Sequence, residues 1–439
     1  MNEIIPLLIC LDPHLSATCL RQLHHIIFAM LCIPHHVTML SLSRWTEKGG
    51  SYRTLQRFYQ TPIDWLHLHW TFIQTHLLSA NGDYVLAGDE VVVSKAGKKT
   101  HGVGRFYSGL AQRVIPSVSF LAISLIDVQN RRSYPVQVEQ LMPHPKTMTS
   151  KEPGTKRPRG RPKGSKNHVK SPPQLTPQLQ LLQTMIGRIQ AVLGRLSIKH
   201  IVLDGKFGNY PSTWAVLQTD LHIISKMRHD AALYLPYNGD QPARGPTPRY
   251  GDKLNYAQLP ASYLVSTLVE HDDRIQTYQM TAYHKDYPAP LNVVVVIKTQ
   301  RVTGKRGQVV LFSTDLTLTA AQIVDYYSLR FQIEFNFRDA KQHWGLEDFM
   351  NISSQAVTHA VNLSFLMVNL SHAMLKSYRI DDPDFSVRDL KARFRAHRYL
   401  TETIKLLPNP PDQHLISRIW QRLTALGGIR AGRSYTDAA

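Results

Sequence analysis

Three acidic residues stand at positions where carboxylates could bind divalent metal ions. Asp89 closes the apolar run 84–88, and Asp204 closes the apolar run 200–203. Both runs have the composition of short strands, although an acid after an apolar strand is common in any α/β protein. Glu334 lies in a stretch whose spacing predicts a helix. Acids that converge from separate elements are what a two-metal phosphoryl-transfer site requires, with the metals about 4 Å apart.

The predicted helix around Glu334 carries an aromatic ring and cations on the same face as the acid. Four residues of this face follow one another at intervals of three, four and seven: Tyr327, Arg330, Glu334 and Lys341. At about 100° per residue they fall within an arc of roughly 60°, and Arg338 projects within about 20° of Tyr327. Such a face could offer an acid to a metal and cations to DNA phosphates. The alternative is a solvated helix with an ordinary i,i+4 ion pair.

A basic, proline-rich segment interrupts the pattern of strands and helices. Residues 143–173 contain seven prolines and nine Lys or Arg but one acid, which predicts an extended insert without a core. Within it lies the Arg-Gly-Arg-Pro core of an AT-hook, formed by Arg159, Gly160, Arg161, Pro162 and followed by Lys163. Arginines in such a core can enter the narrow minor groove of A·T-rich DNA. The alternative is a basic loop attracted to phosphates without sequence preference.

Charge and cysteine content limit the class of protein. The chain has 51 Lys plus Arg against 32 Asp plus Glu, a net charge of +19, which attracts polyanions such as DNA, ribosomal RNA or an anionic membrane. Cys10, Cys19 and Cys32 form no Cys-x-x-Cys pair, which predicts a reduced intracellular compartment. The apolar run 26–34 is too short to span a bilayer, and no secretory signal is expected.

The spacing of apolar residues and of turn residues predicts five successive regions. They are a helical N-terminal DNA-binding unit (1–80), the first part of an α/β core (81–219), a β-rich insertion (220–315), a core helix with Glu334 (316–350) and a helical C-terminal region (351–439). In the first region, a break at 47–50 before a helix capped by Ser51 is a weak helix-turn-helix pattern, and plain helical packing is the alternative. Three strands at 84–89, 113–128 and 134–141 predict an antiparallel meander.

One long helix is expected within residues 316–350. Thr319 can cap its start, the apolar spacing continues to about Trp344, and Gly345 can stop it.

The helix-face residues resemble a known signature. Tyr327-x-x-Arg330-x-x-x-Glu334-x-x-x-x-x-x-Lys341 is similar to the Y-(2)-R-(3)-E-(6)-K pattern of a large group of bacterial insertion-sequence transposases in the DDE superfamily. The segment 88–99 also resembles the first-aspartate region of that family. The resemblance covers roughly residues 40 to 350. It implies a ribonuclease-H-like core, a mixed sheet with flanking helices, that is interrupted by the β-rich insertion.

The resemblance also implies an activity. Asp89, Asp204 and Glu334 would hold Mg²⁺, for which Mn²⁺ could substitute, while Tyr327, Arg330 and Lys341 would grip the DNA backbone near the cleaved end. Such an enzyme cleaves double-stranded DNA at terminal inverted repeats and joins the ends to target DNA, as a homodimer on the bacterial nucleoid, in the cytoplasm and away from membranes. The alternatives are a catalytically inactive, DNA-binding relative that regulates transposition, and an RNA-processing ribonuclease.

Two departures from the family pattern are visible. Glu90 stands where many relatives have a second Asp, and Asp89 is interpreted as the metal ligand because it closes the apolar run. The insertion 220–315 contains no Trp, the residue that stacks on a flipped base in one relative. A tyrosine such as Tyr278 or Tyr283 could take that role, or base flipping could be handled differently, so a hairpin intermediate does not follow from the resemblance.

Overall fold

The computed structural model describes residues 3–46, 50–79, 82–109, 111–143, 172–194, 196–241, 245–409 and 411–427. The AT-hook-like residues Arg159, Gly160, Arg161, Pro162 and Lys163 lie outside this set, so their predicted contact with DNA stays a prediction.

A mixed sheet of twelve strands runs through the described part of the chain. The strands are β1 (Tyr84–Ser94), β2 (Gly104–Ser108), β3 (Arg113–Asp127), β4 (Arg132–Leu141), β5 (His200–Leu203), β6 (His222–Met227), β7 (Leu233–Pro236), β8 (Tyr250–Lys253), β9 (Leu264–Glu270), β10 (Asp273–His284), β11 (Leu291–Gln300) and β12 (Arg306–Ser313). The most apolar runs form the central strands because both faces of the sheet are covered. All four residues of β5 are buried, for example.

One half of the sheet has the strand order β4-β3-β1-β5-β6. β3 is antiparallel to both β1 and β4, which confirms the predicted meander. β5 is parallel to β1 and to β6. The sheet does not stop at β6, because β12 pairs antiparallel with it and leads through β11 and β10 to β7 and β8. β6, which lies within the predicted insertion 220–315, pairs with β5 in the half of the sheet that contains Asp89, and the later strands of that region extend the same sheet.

Twelve α-helices lie in the described ranges. They are α1 (Ile4–Leu8), α2 (Ala17–Cys32), α3 (Met39–Trp45), α4 (Tyr52–Phe58), α5 (Trp65–His76), α6 (Pro177–Leu193), α7 (Tyr210–Leu217), α8 (Ala320–Leu329), α9 (Gln332–His343), α10 (Ser354–Asp381), α11 (Val387–Lys405) and α12 (Gln413–Gly427). Ser51 caps α4 by accepting from the Thr54 amide, as predicted. Within the described ranges, no helix has the length and apolar character needed to cross a bilayer.

The single long helix predicted for residues 319–344 is wrong, because the structure has two helices there. The capping box of Thr319 with Gln322 starts α8, but α8 ends at Leu329 and α9 begins at Gln332. In between, the backbone hydrogen bonds span three residues, as from the Phe331 amide to the Ser328 carbonyl at 3.1 Å. Bonds of this span tighten the chain and interrupt the regular α-helix. Neither Gly nor Pro marks the break in the sequence.

A second difference concerns the end of the first strand. The sequence predicted that the strand ends at Asp89, whereas β1 continues to Ser94. It does so because every residue from Asp89 to Ser94 pairs with β3, ending with Ser94 opposite Ser117.

Helix α10 gives the C-terminal region a structural role that the sequence did not suggest. It has 28 residues, and most of them are buried, including Phe365 and Leu366. Its hydrogen bonds reach the sheet, since Asn369 donates to the Pro135 carbonyl of β4 at 2.8 Å. Beside α10, Trp344 is fully buried, and the Lys391 ammonium lies 5.0 Å from the centre of its ring. Helix α10, together with Lys391 of α11, therefore packs against the end of α9 and holds it in place.

Replacing Trp344 by alanine tests this support. Because the indole is fully buried, Trp344→Ala should lower the free energy of unfolding by about 3–5 kcal/mol. Urea unfolding followed by circular dichroism measures the change. Met350→Ala is the control, since Met350 is 81% exposed, and it should change the free energy by less than about 0.5 kcal/mol. Equal effects of the two substitutions would contradict the described packing.

Candidate active site

The first two acids lie level with each other on neighbouring parallel strands. In the pairing of β1 with β5, Gly88 is opposite Leu203, so the next step in the same register brings Asp89 beside Asp204. Neighbouring strands are about 4.8 Å apart. Asp204 keeps an extended backbone, with φ −62° and ψ 162°, and its carbonyl accepts a hydrogen bond from the Ser225 hydroxyl at 2.9 Å. The parallel ladder therefore brings two acids of distant segments together.

The third acid is linked to the first through one arginine. Nη1 of Arg330 donates to Oδ2 of Asp89 at 2.5 Å, and Nη2 donates to Oε1 of Glu334 at 3.2 Å. The side chains of Arg330 and Asp89 are 13% and 20% exposed, so water screens this ion pair weakly, whereas Glu334 is 41% exposed and its pair is screened more. Arg330 belongs to the turn between α8 and α9, and Glu334 to the first turn of α9. A single guanidinium therefore joins Asp89 and Glu334.

The three acids act on one another electrostatically. Burial raises the pKa of Asp89 to about 6; the Arg330 charge opposes this shift, and the charges of Asp204 and Glu334 add to it. Burial lowers the pKa of Arg330, but the neighbouring carboxylates, Asp89 and Asp204 foremost, raise it overall. Asp89, Asp204 and Glu334 therefore form one cluster of negative charge around Arg330.

The three carboxylates are suitable ligands for a hard divalent cation, but they do not surround a common metal position. Carboxylate oxygens are the ligands that Mg²⁺ prefers. Among the residues that the structure describes, however, no three Asp, Glu, His or Cys side chains are grouped closely enough to hold a metal ion. Arg330 stands between two of the acids and supplies the positive charge there.

The residues predicted to grip DNA are placed differently from one another. The Tyr327 ring centre is 6.0 Å from the Arg330 guanidinium carbon, so these two residues lie together at the acids. Lys341 donates instead to the Val92 carbonyl of β1 at 3.0 Å and pairs with Glu347 at 3.2 Å. Lys341 therefore ties α9 to β1.

Arg338, the last of these predicted contacts, is a surface residue. Half of its side chain is exposed, and its described ion pair is with the adjacent Asp339 at 3.0 Å. Its guanidinium also lies over the Phe335 ring at 4.8 Å. Arg338 therefore does not belong to the cluster around the acids.

Glu90 has a structural partner set that the sequence analysis missed. Its carboxylate accepts hydrogen bonds from three side chains on other elements, Ser119 (2.6 Å), Lys206 (2.6 Å) and Gln178 (3.2 Å). Although burial raises the pKa of Glu90, these contacts lower it overall. Since Lys206 lies two residues after Asp204, the ion pair holds the turn after Asp204 against β1. The sequence signal for this contact was Lys206, a basic residue two positions after the acid that ends β5.

Lys95 is a second residue whose role was missed. Its ammonium donates to the backbone carbonyls of Glu347 (3.0 Å) and Phe349 (2.9 Å) and lies 3.4 Å from the centre of the Phe349 ring. Burial lowers the pKa of Lys95 to about 8, while the charges of Asp348 and Glu347 act in the opposite direction. The contact fastens the segment after α9 to the end of β1.

The two candidate base-stacking tyrosines differ in accessibility. Tyr278 is only 8% exposed, so it is too buried to stack on a base. Tyr283 is half-buried, packs against the Tyr250 ring at 5.9 Å and lies 4.6 Å from the Arg249 guanidinium. The role predicted for Tyr278 is therefore wrong, and the role of Tyr283 stays a prediction.

A cavity of about 540 Å³ borders the end of the turn that follows Asp204. Its walls include Gly208, Tyr210, Arg228, His284 and Tyr287, and none of the three acids lines it. The shape of the surface would suggest this cavity as the active site. The interacting carboxylates indicate instead that the active site is the cluster around Arg330.

Comparison with known proteins places the chain in a family. The sequence profile described as DDE superfamily endonuclease matches residues 10–286, more than half of the chain. The chain belongs to this endonuclease family. The matched span includes Asp89 and Asp204 and ends before Glu334. No curated protein matches the chain.

Among solved structures, this endonuclease is similar to a piggyBac transposase synaptic complex with hairpin DNA. The TM-score is 0.40 at 12% sequence identity, over 94% of this chain and 78% of that chain.

The raised pKa of Asp89 predicts how stability changes with pH in metal-free buffer. The folded state holds a proton with a pKa of about 6 against a usual value of 3.8. The proton on Asp89 stabilises the folded state; this stabilisation is complete below pH 3.8 and is lost as the pH rises through about 6. Asp89→Asn, which cannot ionise, should therefore become more stable than the wild type as pH rises, by roughly 1–3 kcal/mol at neutral pH.

Urea unfolding of both proteins between about pH 4 and about pH 8 measures this difference. Asp240→Asn serves as control because Asp240 is exposed and lies outside the cluster. A constant difference across this range would contradict the buried position of Asp89.

Glu90 and Lys206 are expected to be coupled energetically. Glu90→Gln and Lys206→Met should each destabilise the protein, and the double variant by less than the sum, with a coupling of about 0.5–1 kcal/mol because Lys206 is half-exposed. A double-mutant cycle in urea measures the coupling, and strict additivity would show that the ion pair does not hold the turn.

Proposed function

We propose that this endonuclease is a DNA transposase that cleaves DNA at the ends of a mobile element and joins those ends to target DNA. The observation that carries the proposal is the level placement of Asp89 and Asp204 on β1 and β5, with Glu334 linked to Asp89 through Arg330. The complete Tyr327-Arg330-Glu334-Lys341 spacing supports assignment to the bacterial insertion-sequence group.

The topology supports a ribonuclease-H-like core. The order β4-β3-β1-β5-β6, with β3 antiparallel to its neighbours and the other strands running one way, is the arrangement expected of that core. The remaining strands extend the sheet beyond β6, and α1–α5 precede the core as the proposed N-terminal unit.

Asp89, Asp204 and Glu334 would hold Mg²⁺ or Mn²⁺. When bound, such ions activate a water or a 3′-hydroxyl and stabilise the leaving oxygen. The chain itself positions the acids: Gly88 and Leu203 set the register, and Lys206 holds the turn after Asp204 through Glu90.

Other side chains of the site would act on the DNA. Arg330 and Tyr327 lie beside the acids, where they can bind and orient the phosphate that is attacked. Lys341 holds α9 on β1 and so keeps Glu334 in place.

Double-stranded DNA is the proposed partner. The net charge of +19 favours a polyanion, and the reaction needs both the terminal repeats and a target. Because two ends have to be held together, a homodimer on DNA is part of the proposal. The second candidate is a relative that binds these ends without cutting, and the occupation of Asp89 and Glu334 by Arg330 favours it.

A cleavage assay distinguishes the two. On a duplex that carries the terminal inverted repeats of the element, with Mg²⁺, wild-type protein should cut and join strands. Asp204→Ala and Glu334→Gln should lose at least about 10³-fold in rate and still bind the duplex in a gel-shift experiment.

Asp240→Asn is the matched acid control and should cut like wild type, since Asp240 is exposed and outside the site. Normal cutting by Asp204→Ala and Glu334→Gln would overturn the assignment of the acids. Specific binding without any cutting by wild type would establish the non-cutting relative instead.

A further inference from the structure

We propose that Arg330 couples metal binding to DNA binding: it occupies Asp89 and Glu334 in the free protein and moves to a DNA phosphate when these acids bind metal. This inference rests on the proposed function, because it assumes that the acids are metal ligands. It explains why the donor set suits Mg²⁺ although the described side chains are not grouped around a metal position.

The first step is competition for the same oxygen atoms. Oδ2 of Asp89 and Oε1 of Glu334 accept hydrogen bonds from the two terminal nitrogens of Arg330. An ion bound to those oxygens would lie about 2.1 Å from them, close to the guanidinium nitrogens. Two cations at such a distance repel each other strongly in a buried site. An ion bound to these two oxygen atoms therefore requires Arg330 to withdraw from at least one acid.

The second step is that Arg330 is incompletely satisfied by the acids. Within the described part of the chain, its Nε is buried and has no hydrogen-bond acceptor. A buried donor without an acceptor is unfavourable, and guanidinium has five donors in a fixed planar arrangement. A phosphate group offers several oxygens to such an arrangement. DNA is therefore a fitting second partner for this side chain.

The position of Arg330 in the chain permits the exchange. It lies in the tight turn between α8 and α9, where the Ile333 amide donates to its carbonyl at 3.0 Å. Its side chain can rotate without unwinding either helix. Glu334, in contrast, is within α9, which Lys341 fastens to β1. The arginine can move while the acid stays.

Charge then makes the two binding events cooperative. Without metal, the three carboxylates retain Arg330; with metal, their charge is neutralised and Arg330 is repelled. A DNA phosphate that accepts Arg330 leaves the acids free for metal, so each ligand should raise the affinity of the other by the same factor.

Calorimetric titration tests this with Mg²⁺, and with Ca²⁺ where cutting has to be avoided, in the absence and presence of the terminal-repeat duplex. Without DNA, Arg330→Gln should bind metal at least about tenfold more tightly than wild type. DNA should raise the metal affinity of wild type, and this increase should be lost in Arg330→Gln.

Two variants make the result interpretable. Arg188→Gln removes an exposed arginine that pairs with Glu139, away from the acids, and should leave metal affinity without DNA unchanged. Arg330→Lys keeps the charge but cannot bridge two acids with one planar group, so its metal affinity should lie between those of wild type and Arg330→Gln. Circular dichroism verifies that each variant is folded. If Arg330→Gln does not fold, the metal affinity of Arg330→Lys tests the role of Arg330.

The outcomes separate this inference from the proposed function. Metal affinity of Arg330→Gln equal to or below that of wild type would overturn the role of Arg330. If Glu334→Gln meanwhile abolishes both metal binding and cutting, the nuclease assignment stands without it. If wild type neither binds metal nor cuts even with DNA present, the proposed function fails and the inference with it.

Discussion

The short parallel pairing of β1 with β5 is the constraint on which the candidate active site depends. Only three residue pairs form it, and the last of them is Gly88 opposite Leu203. A Cβ atom at position 88 would lie 2.7 Å from a methyl carbon of Leu203, closer than real contacts allow. Glycine at this position therefore leaves room for the Leu203 side chain one step before Asp89 and Asp204. The register of these three pairs, continued by one residue, places the two acids level with each other.

Burying several carboxylates together is unfavourable unless positive charge compensates for it. A different cation supplies this positive charge on each face of β1. Arg330 compensates Asp89, and Lys206 compensates the adjacent Glu90. Successive side chains of a strand point to opposite faces, so the two acids never compete for one partner. Asp89, which shares its cation with Glu334, is thereby distinguished from Glu90, which is bound into the scaffold.

Local signals in the sequence were sufficient for much of the fold. Ser51 and Thr319 cap the helices that they were expected to cap, and Gly345 ends α9 with a positive φ of 76°. These features depend on a few neighbouring residues. The continuation of β1 to Ser94 depends instead on pairing with the distant strand β3, so spacing along the chain could not reveal it. The break after Leu329 carries neither Gly nor Pro, so no breaker residue marks it in the sequence.

The sequence predicted which residues form the candidate site, but not which of them contact one another. Residue types and intervals identified Asp89, Asp204 and Glu334, and the ion pair of Arg330 with Glu334 follows from their spacing on a helix. The contact of Arg330 with Asp89 joins residues 241 positions apart, and no periodicity encodes it. The same holds for Glu90, whose three partners come from separate elements.

Two lysines hold the C-terminal end of helix α9 against β1 and the residue that follows it. Lys341 binds a β1 carbonyl from the last turn of the helix, and Lys95 binds the backbone that follows it. These contacts fix the position of the last turn of α9 relative to the sheet. At the other end of the helix, the hydrogen bond to β1 comes from the side chain of Arg330. A ligand that replaces Asp89 as the partner of this arginine therefore changes one side chain and leaves the lysine contacts of α9 in place.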